Sequence, residues 1–296
     1  MNEPRFGHVA LVGRPNVGKS TLLNALVGEH LAIVTHKPQT TRHRLVGVVS
    51  EARGQIAVVD TPGLHQRREH GLNRRLNRTA VAVLNDVDAV VMVVDATHWT
   101  AEDDLVADRV ARFAGPRLLV INKIDLLEER SGLLEMTARL STRIAPSAVL
   151  YTAASKGDGL DRLLDELFAC LPAGAPLYPV DEFTDRSARF LAAELVREQL
   201  MLQLHQEIPY GLAVQVERYE QQQRRLWISA LIVVAEDRHK GMVIGRQGQV
   251  LKRVGSRARR EIAQLLGQPV HLELHVRTRD GWVDDERALD ELGFAD

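Results

Sequence analysis

The chain has 296 residues, a net charge of −1 and one cysteine, Cys170; the length suggests about two domains with a core each, and an internal disulfide is excluded, as fits a reducing cytosol. No signal pattern opens the chain ("MNEPRFGHVALVG") and no apolar run reaches the ~18 residues of a membrane span, so a soluble protein is expected, with surface attachment to a membrane left open. Charge is uneven: many bases and no acid stand between Asp237 and Glu261, and the C-terminal "RDGWVDDERALDELGFAD" returns the acid.

The first half alternates apolar runs with helical patterns. "HVALVG", "LVGVVS", "IAVVD", "AVVMVVD", "RLLVINK" and "AVLYTAA" read as strands, and "KSTLLNALVG" and "GLDRLLDELFACL" as amphipathic helices. Continuous Val/Ile/Leu runs between helices predict an α/β domain with a mostly parallel sheet buried on both faces. The second run is expected to pair antiparallel to the third, because little helix separates them. Pro172, Gly174, Pro176 and Pro179 then break the pattern. This divides the chain into a first domain at 1–173, a linker at 174–184 and a smaller α+β domain at 185–296. The second domain reads helix, strand, strand, helix, helix, strand.

"GRPNVGKS" spans Gly13, Arg14, Pro15, Asn16, Val17, Gly18, Lys19 and Ser20 and fits G-x-x-x-x-G-K-[ST] between a strand and a helix. Its N–H groups are expected to wrap phosphate at a helix N-terminus. Lys19 is expected to reach the β/γ-phosphates and the Ser20 hydroxyl to ligate Mg²⁺. Asp60 ends the third run and is followed by Thr61, Pro62, Gly63 and Leu64. A carboxylate there can hold Mg²⁺ through water, and Gly63 can offer its N–H to a γ-phosphate. Leu64 can neither donate nor accept a proton, so the water must be handled elsewhere. "NKID" places Asn122, Lys123 and Asp125 after another strand. Asp125 can accept from guanine N1–H and N2–H₂, donors that adenine lacks. GTP is therefore favoured over ATP, and an ATPase is the weaker alternative.

These motifs, in the order "GRPNVGKS", "KPQTTRHR", "DTPG", "NKID" and "TAASKGDG", resemble those of TRAFAC-class GTPases, and the whole length resembles the Era family. The resemblance implies strand order 2-3-1-4-5-6. It implies that Thr40 and Thr41 belong to a switch segment, with Thr41 closing over Mg²⁺ and the γ-phosphate, and that Asp60, Thr61, Pro62, Gly63 and Leu64 form a second switch. Ala153 and Ala154 then fall in the last guanine-contacting loop, where the family commonly has Ser-Ala. Many switch GTPases carry a water-orienting glutamine where this chain has Leu64. GTPases with a phosphate-loop asparagine such as Asn16 commonly bind K⁺ there, with Thr35, the Lys37 carbonyl and Thr40 closing the ion site; a loop-capping role for Asn16 is the alternative.

In the second domain Gly245, Arg246, Gln247 and Gly248 form a G-x-x-G between helical stretches. Such a turn lets single-stranded nucleic acid approach the backbone and clamps about four nucleotides. The surrounding element order resembles a type II KH domain. Lys240, Arg246, Lys252 and Arg253 lie where phosphates could be neutralised, and Arg257, Arg259 and Arg260 extend the charge. The family resemblance further implies binding near the 3′ end of 16S ribosomal RNA, a role in 30S subunit assembly and peripheral inner-membrane association; a monomer is expected. The rival reading is a nucleotide-gated protein-interaction module whose KH-like domain binds no RNA.

Overall fold

The computed structural model describes residues 3–37, 40–63, 71–129, 131–204 and 211–294. Two compact units divide the chain: most residues up to Asp185 form the first, and those from Arg186 onward, joined by Ile33–Lys37 and residues 71–75, form the second.

In the first unit β1 (Arg5–Val12), β2 (Leu45–Glu51), β3 (Gly54–Asp60), β4 (Ala89–Asp95), β5 (Arg117–Asn122) and β6 (Ala148–Thr152) make a six-stranded sheet. Its order is β2-β3-β1-β4-β5-β6, the order implied by the resemblance. Only the β2–β3 pair is antiparallel, with Leu45 opposite Asp60 and Glu51 opposite Gly54. A turn this short cannot carry a crossover, so the two strands must run against each other. The helices α1 (Lys19–Val27), α2 (Gly71–Ala82), α3 (Ala101–Val110), α4 (Ser131–Ile144) and α5 (Leu160–Cys170) fall between or after the strands. Every residue of β3 and β4 is buried, as expected of strands covered on both faces. Their apolar runs end in Asp60 and Asp95, which the parallel register sets at the same end of the sheet as Val12.

Residues 174–184, which read as a linker, are hydrogen-bonded to this unit. The Gly174 N–H donates to the Pro4 carbonyl at 2.9 Å and the Val48 N–H to the Phe183 carbonyl at 2.9 Å. Thr184 forms an antiparallel bridge with Gly47 on β2. Gln55, 1% exposed, accepts the N–H groups of Leu177 and Tyr178 and donates to the Tyr178 carbonyl.

The second unit follows the expected order: α6 (Ala188–Gln203), β7 (Leu212–Gln222), β8 (Arg225–Val234), α7 (Asp237–Ile244), α8 (Gln249–Leu265) and β9 (Val270–Thr278). Its three-stranded sheet runs β7-β8-β9, with β7–β8 antiparallel and β8–β9 parallel. The core gathers Val196 and Leu200 of α6, Ile228 and Ile232 of β8, and Val254, Ala258 and Ile262 of α8. The α8 set recurs at i, i+4 and i+8, which aligns one helix face with the sheet and leaves the basic residues outward. A short α9 (Glu286–Glu291) follows.

Candidate functional site

The loop Gly13–Ser20 joins β1 to α1. Gly18 stands at φ +102°, and a Cβ there would lie 2.2 Å from Asn122 Nδ2. A side chain there would have to displace the Asn122 amide and would be strained at this φ. Asn122 fastens the two: its Nδ2 donates to the Val17 carbonyl at 2.9 Å, and its Oδ1 accepts from the Thr152 hydroxyl at 3.0 Å and the Ala154 N–H at 3.1 Å.

Lys19 is 6% exposed and donates to the carbonyls of Gly13 at 3.0 Å and Arg14 at 2.9 Å. Burial lowers its ammonium pKa to about 8, with Asp60 the strongest opposing influence. Removing an ammonium from water favours the neutral amine. A phosphate would restore the charge.

Three predicted residues meet at one carboxylate. Ser20 Oγ donates to Asp60 Oδ2 at 2.7 Å, Thr41 Oγ1 donates to the same oxygen at 3.0 Å, and the two hydroxyls lie 2.8 Å apart. Asp60 is fully buried, and its Oδ1 has no hydrogen-bond partner among the described residues. Burial pushes this carboxyl up, opposed by Lys19 and by the two hydroxyl donors. A buried carboxylate oxygen without a donor, beside two hydroxyls, suits a hard dication that prefers oxygen ligands.

Thr61 is buried and its hydroxyl donates to the Leu11 carbonyl at 2.9 Å, which seats the start of the second switch on β1. Pro62 is buried. Gly63 comes against Pro15 of the phosphate loop: a Cβ there would lie 2.8 Å from the Pro15 nitrogen. Leu64 lies outside the described residues.

Lys123 stands at φ +64°, and its Nζ donates to the Asn16 carbonyl at 2.6 Å and Asp95 Oδ2 at 2.7 Å. Burial would raise the Asp95 carboxyl, but donation from Lys123 and Thr97 holds it below the usual range. Asp125 pairs with Lys156 at 3.2 Å. Ala153 and Ala154 are buried, and the Ala153 N–H donates to the Asp158 carbonyl at 3.1 Å. The loop is thus held by Thr152, Asn122 and Asp158, without the serine hydroxyl common in the family. Asp95 is a site residue that motif matching missed, although it ends an apolar strand in the same way as Asp60.

Asn16 adopts φ +65°, and Thr40 is 9% exposed. Thr35 and Lys37 group with the second unit, where Thr35 Oγ1 accepts the Lys37 N–H at 3.1 Å and Lys37 Nζ donates to the Met201 and Leu204 carbonyls. Arg14 enters the phosphate loop, but its side chain is engaged by Asp103 at 2.8 Å.

In the second unit the G-x-x-G joins α7 to α8. Gly245 has φ +73°, and a Cβ there would lie 2.4 Å from Val250 Cγ2. Gln247 and Gly248 are also left-handed, at φ 54° and 74°. A cleft of about 400 Å³ opens beside Gly248, between α8 (Leu251, Lys252, Gly255, Ser256, Arg259) and β9 (Leu272, Leu274). Lys240, Arg246, Gln247, Lys252 and Arg253 are exposed. Lys252 lines the cleft; Arg253 does not. Arg259 does, because residues seven apart return to the same helix face. Ser256, Leu272 and Leu274 were not singled out from the sequence, since nothing in it pairs α8 with β9.

A family model described as "50S ribosome-binding GTPase" matches residues 8–123, and a KH-domain model matches residues 207–283. The GTPase Era of Pseudomonas savastanoi pv. phaseolicola is 48% identical over 292 residues, covering 99% of this chain and 97% of that protein. That of Pseudomonas putida KT2440 is 47% identical over 295 residues, covering 100% and 98%. Among solved structures, Era in complex with MgGDPNP and nucleotides 1506–1542 of 16S ribosomal RNA matches with TM-score 0.93 and 34% identity over 99% of both chains. A variant of Aquifex aeolicus Era bound to GDP and aluminium fluoride matches with TM-score 0.93 and 34% identity over 98% of this chain and 99% of that one.

Proposed function

The chain belongs to the Era family of GTPases, and from that premise we propose that it hydrolyses GTP with Mg²⁺ and binds the 3′ region of 16S ribosomal RNA through the cleft at Gly245–Gly248. One observation carries the reading. The cluster of Ser20 and Thr41 on the buried Asp60 carboxylate and an Asn122-fastened base loop share a chain with a G-x-x-G turn that opens on a basic cleft.

Ser20, Thr41 and Asp60 would hold Mg²⁺, which when bound neutralises charge on the β- and γ-phosphates. The loop Gly13–Ser20 wraps the phosphates with N–H groups, Lys19 supplies a fixed cation, and Gly63 offers its N–H. Asp125 reads guanine, Lys123 lies along the base, and Ala153 and Ala154 form the wall of that pocket. Loss of the γ-phosphate would release Thr40 and Thr41 and the segment from Asp60 to Leu64. The division into 1–173, 174–184 and 185–296 is part of the same proposal. Lys240, Arg246, Gln247, Lys252 and Arg253 would neutralise RNA phosphates around the turn.

Finer elements rest on family kinship: action on the 30S subunit in the cytoplasm, a monomeric state and peripheral attachment to the inner membrane. Among the described residues no helix is long and apolar enough to cross a membrane. K⁺ beside Asn16 would stand in for the charge of an arginine finger, which Leu64 cannot replace. Turnover is then faster in K⁺ than in Na⁺, and an unchanged K⁺ effect in Asn16→Ala removes the ion from the scheme.

Crosslinking with sequencing of bound RNA, in GTP and in GDP, tests the reading. Reads concentrated at the 3′ end of 16S ribosomal RNA are expected. Crosslinks to protein alone would favour the nucleotide-gated interaction module.

A further inference from the structure

Arg14 fills a variable position of the phosphate-loop motif, and nothing in the motif asks for arginine. Its guanidinium is nonetheless buried, at 7% exposure. Nε donates to Asp103 Oδ2 at 2.8 Å, Nη1 to the Pro15 carbonyl at 3.2 Å, and Nη2 lies 2.9 Å from His98 Nε2 and 3.4 Å from the His98 carbonyl.

A guanidinium has donors only. His98 Nε2 must therefore accept, which puts the ring proton on Nδ1, 2.8 Å from the Thr97 hydroxyl. Thr97 Oγ1 donates in turn to Asp95 Oδ1 at 2.6 Å. The donors thus run one way, from Arg14 through His98 and Thr97 to Asp95, whose other oxygen accepts Lys123. This relay, beside the direct approach of Arg14 Nη2 to Asp95 Oδ2 at 3.8 Å, adds to the links that Asn122 and Lys123 already make between the phosphate loop and the base-reading loop.

We infer that Asp103 and His98 are positioning residues of the GTPase centre, acting through Arg14 to fix the phosphate loop and so the place of Lys19. The inference rests on the GTPase reading of this site. The residue they hold by its side chain is the one whose carbonyl accepts Lys19 Nζ at 2.9 Å. Phosphoryl transfer depends on positioning and charge stabilisation, and a displacement of about 1 Å costs on the order of 100-fold in rate.

Asp103 has a second duty. Its Oδ2 also accepts the Thr100 N–H at 2.9 Å and hydroxyl at 3.0 Å, closing the N-terminus of α3. Asparagine keeps an acceptor for that cap but removes the charge facing Arg14. His98 is exposed, so His98→Ala removes one Arg14 contact without emptying the core.

The test is a double-mutant cycle on the full chain with GTP and Mg²⁺, each variant first checked for native circular dichroism at the assay temperature. Asp103→Asn and Arg14→Gln are each expected to lower kcat about tenfold with KM changed less than about threefold. The double variant should be no slower than Arg14→Gln alone, because residues acting through one another are not additive. His98→Ala should lower kcat severalfold with its melting temperature unchanged, which keeps the test open if Asp103→Asn does not fold. Losses that multiply in the double variant, or wild-type kcat in His98→Ala, overturn the inference. A wild-type protein without GTP turnover would instead overturn the functional reading itself.

Discussion

Gln55 and Tyr178 grip each other at both ends of the Tyr178 backbone: Gln55 Oε1 accepts the Tyr178 N–H at 2.9 Å, and Gln55 Nε2 donates to the Tyr178 carbonyl at 2.9 Å. The same amide accepts the Leu177 N–H at 3.0 Å and donates to Ser50 Oγ at 2.9 Å. One buried side chain thereby replaces a stretch of strand pairing for residues 177–178. Gln55→Ala should cost about 2–4 kcal/mol, from several net hydrogen bonds of ~1 kcal/mol each. Urea unfolding measures it, and limited proteolysis should show faster cleavage within 174–185. Unchanged stability would mean that these bonds exchange freely with water.

Lys19 predicts a pH dependence with a definite sign. Its pKa is lowered by burial from 10.5 to about 8. Between these values the unfolded chain holds a proton that the folded one has released. The fold therefore gains stability as pH rises through this window and loses that gain as pH falls through about 8. Phosphate requires the ammonium, so nucleotide affinity should fall above about pH 8. At about pH 9 the loss should be roughly tenfold, or ~1.4 kcal/mol. Calorimetry there should register proton uptake on binding. Affinity constant from about pH 7 to 9 would show that Lys19 keeps its proton.

Asp125→Asn should exchange base preference. The carboxylate matches two guanine donors, whereas an amide presents a donor of its own to a base carrying a carbonyl at C2. GTP affinity should drop by at least ~100-fold, with xanthosine triphosphate binding better than GTP. Competition titrations read both. The Lys156 pair, with Lys156 64% exposed, is a surface contact that contributes little and should yield to the base.

Gly245 and Gly248 should separate fold from binding. Gly248 has φ +74° with open space around a Cβ, and it lines the cleft. Gly248→Asp should therefore weaken RNA binding at least ~10-fold by placing a carboxylate against phosphate, at a backbone cost of about 1–2 kcal/mol. Gly245→Asp meets Val250 as well and should destabilise the second unit further. Filter binding and thermal melting distinguish the two. RNA binding that survived both would remove the cleft from the mechanism.

The antiparallel β2–β3 pair and the helix–strand sequence of the second unit were legible because apolar periodicity and connection length dictate them, whereas the sheet order came from the family resemblance, since periodicity does not say which strands lie side by side. Ser20, Asp60 and Asn122 were legible because phosphate and base chemistry tolerate few residue types at those spacings. The engagement of the Arg14 side chain was not, since its partner Asp103 lies 89 positions away and ion pairing leaves no periodic trace. Residues 174–184 read as a linker from their prolines and glycine, and nothing in that pattern shows that Gln55, one polar residue within "GQIAVVD", ties part of the segment to the first unit. Arg259 reaches the cleft while Arg253 does not, a distinction that needs β9 beside α8.

β2 is the outermost strand on its side of the sheet, and an open strand edge is a template for another chain. Phe183 and Thr184 occupy part of that edge through Val48 and Gly47. The connecting segment is thus also a guard against self-association. Cutting the chain after residue 173 would bare β2, whereas cutting after residue 185 would leave it covered, so the shorter fragment of the nucleotide-binding unit is the one that should aggregate.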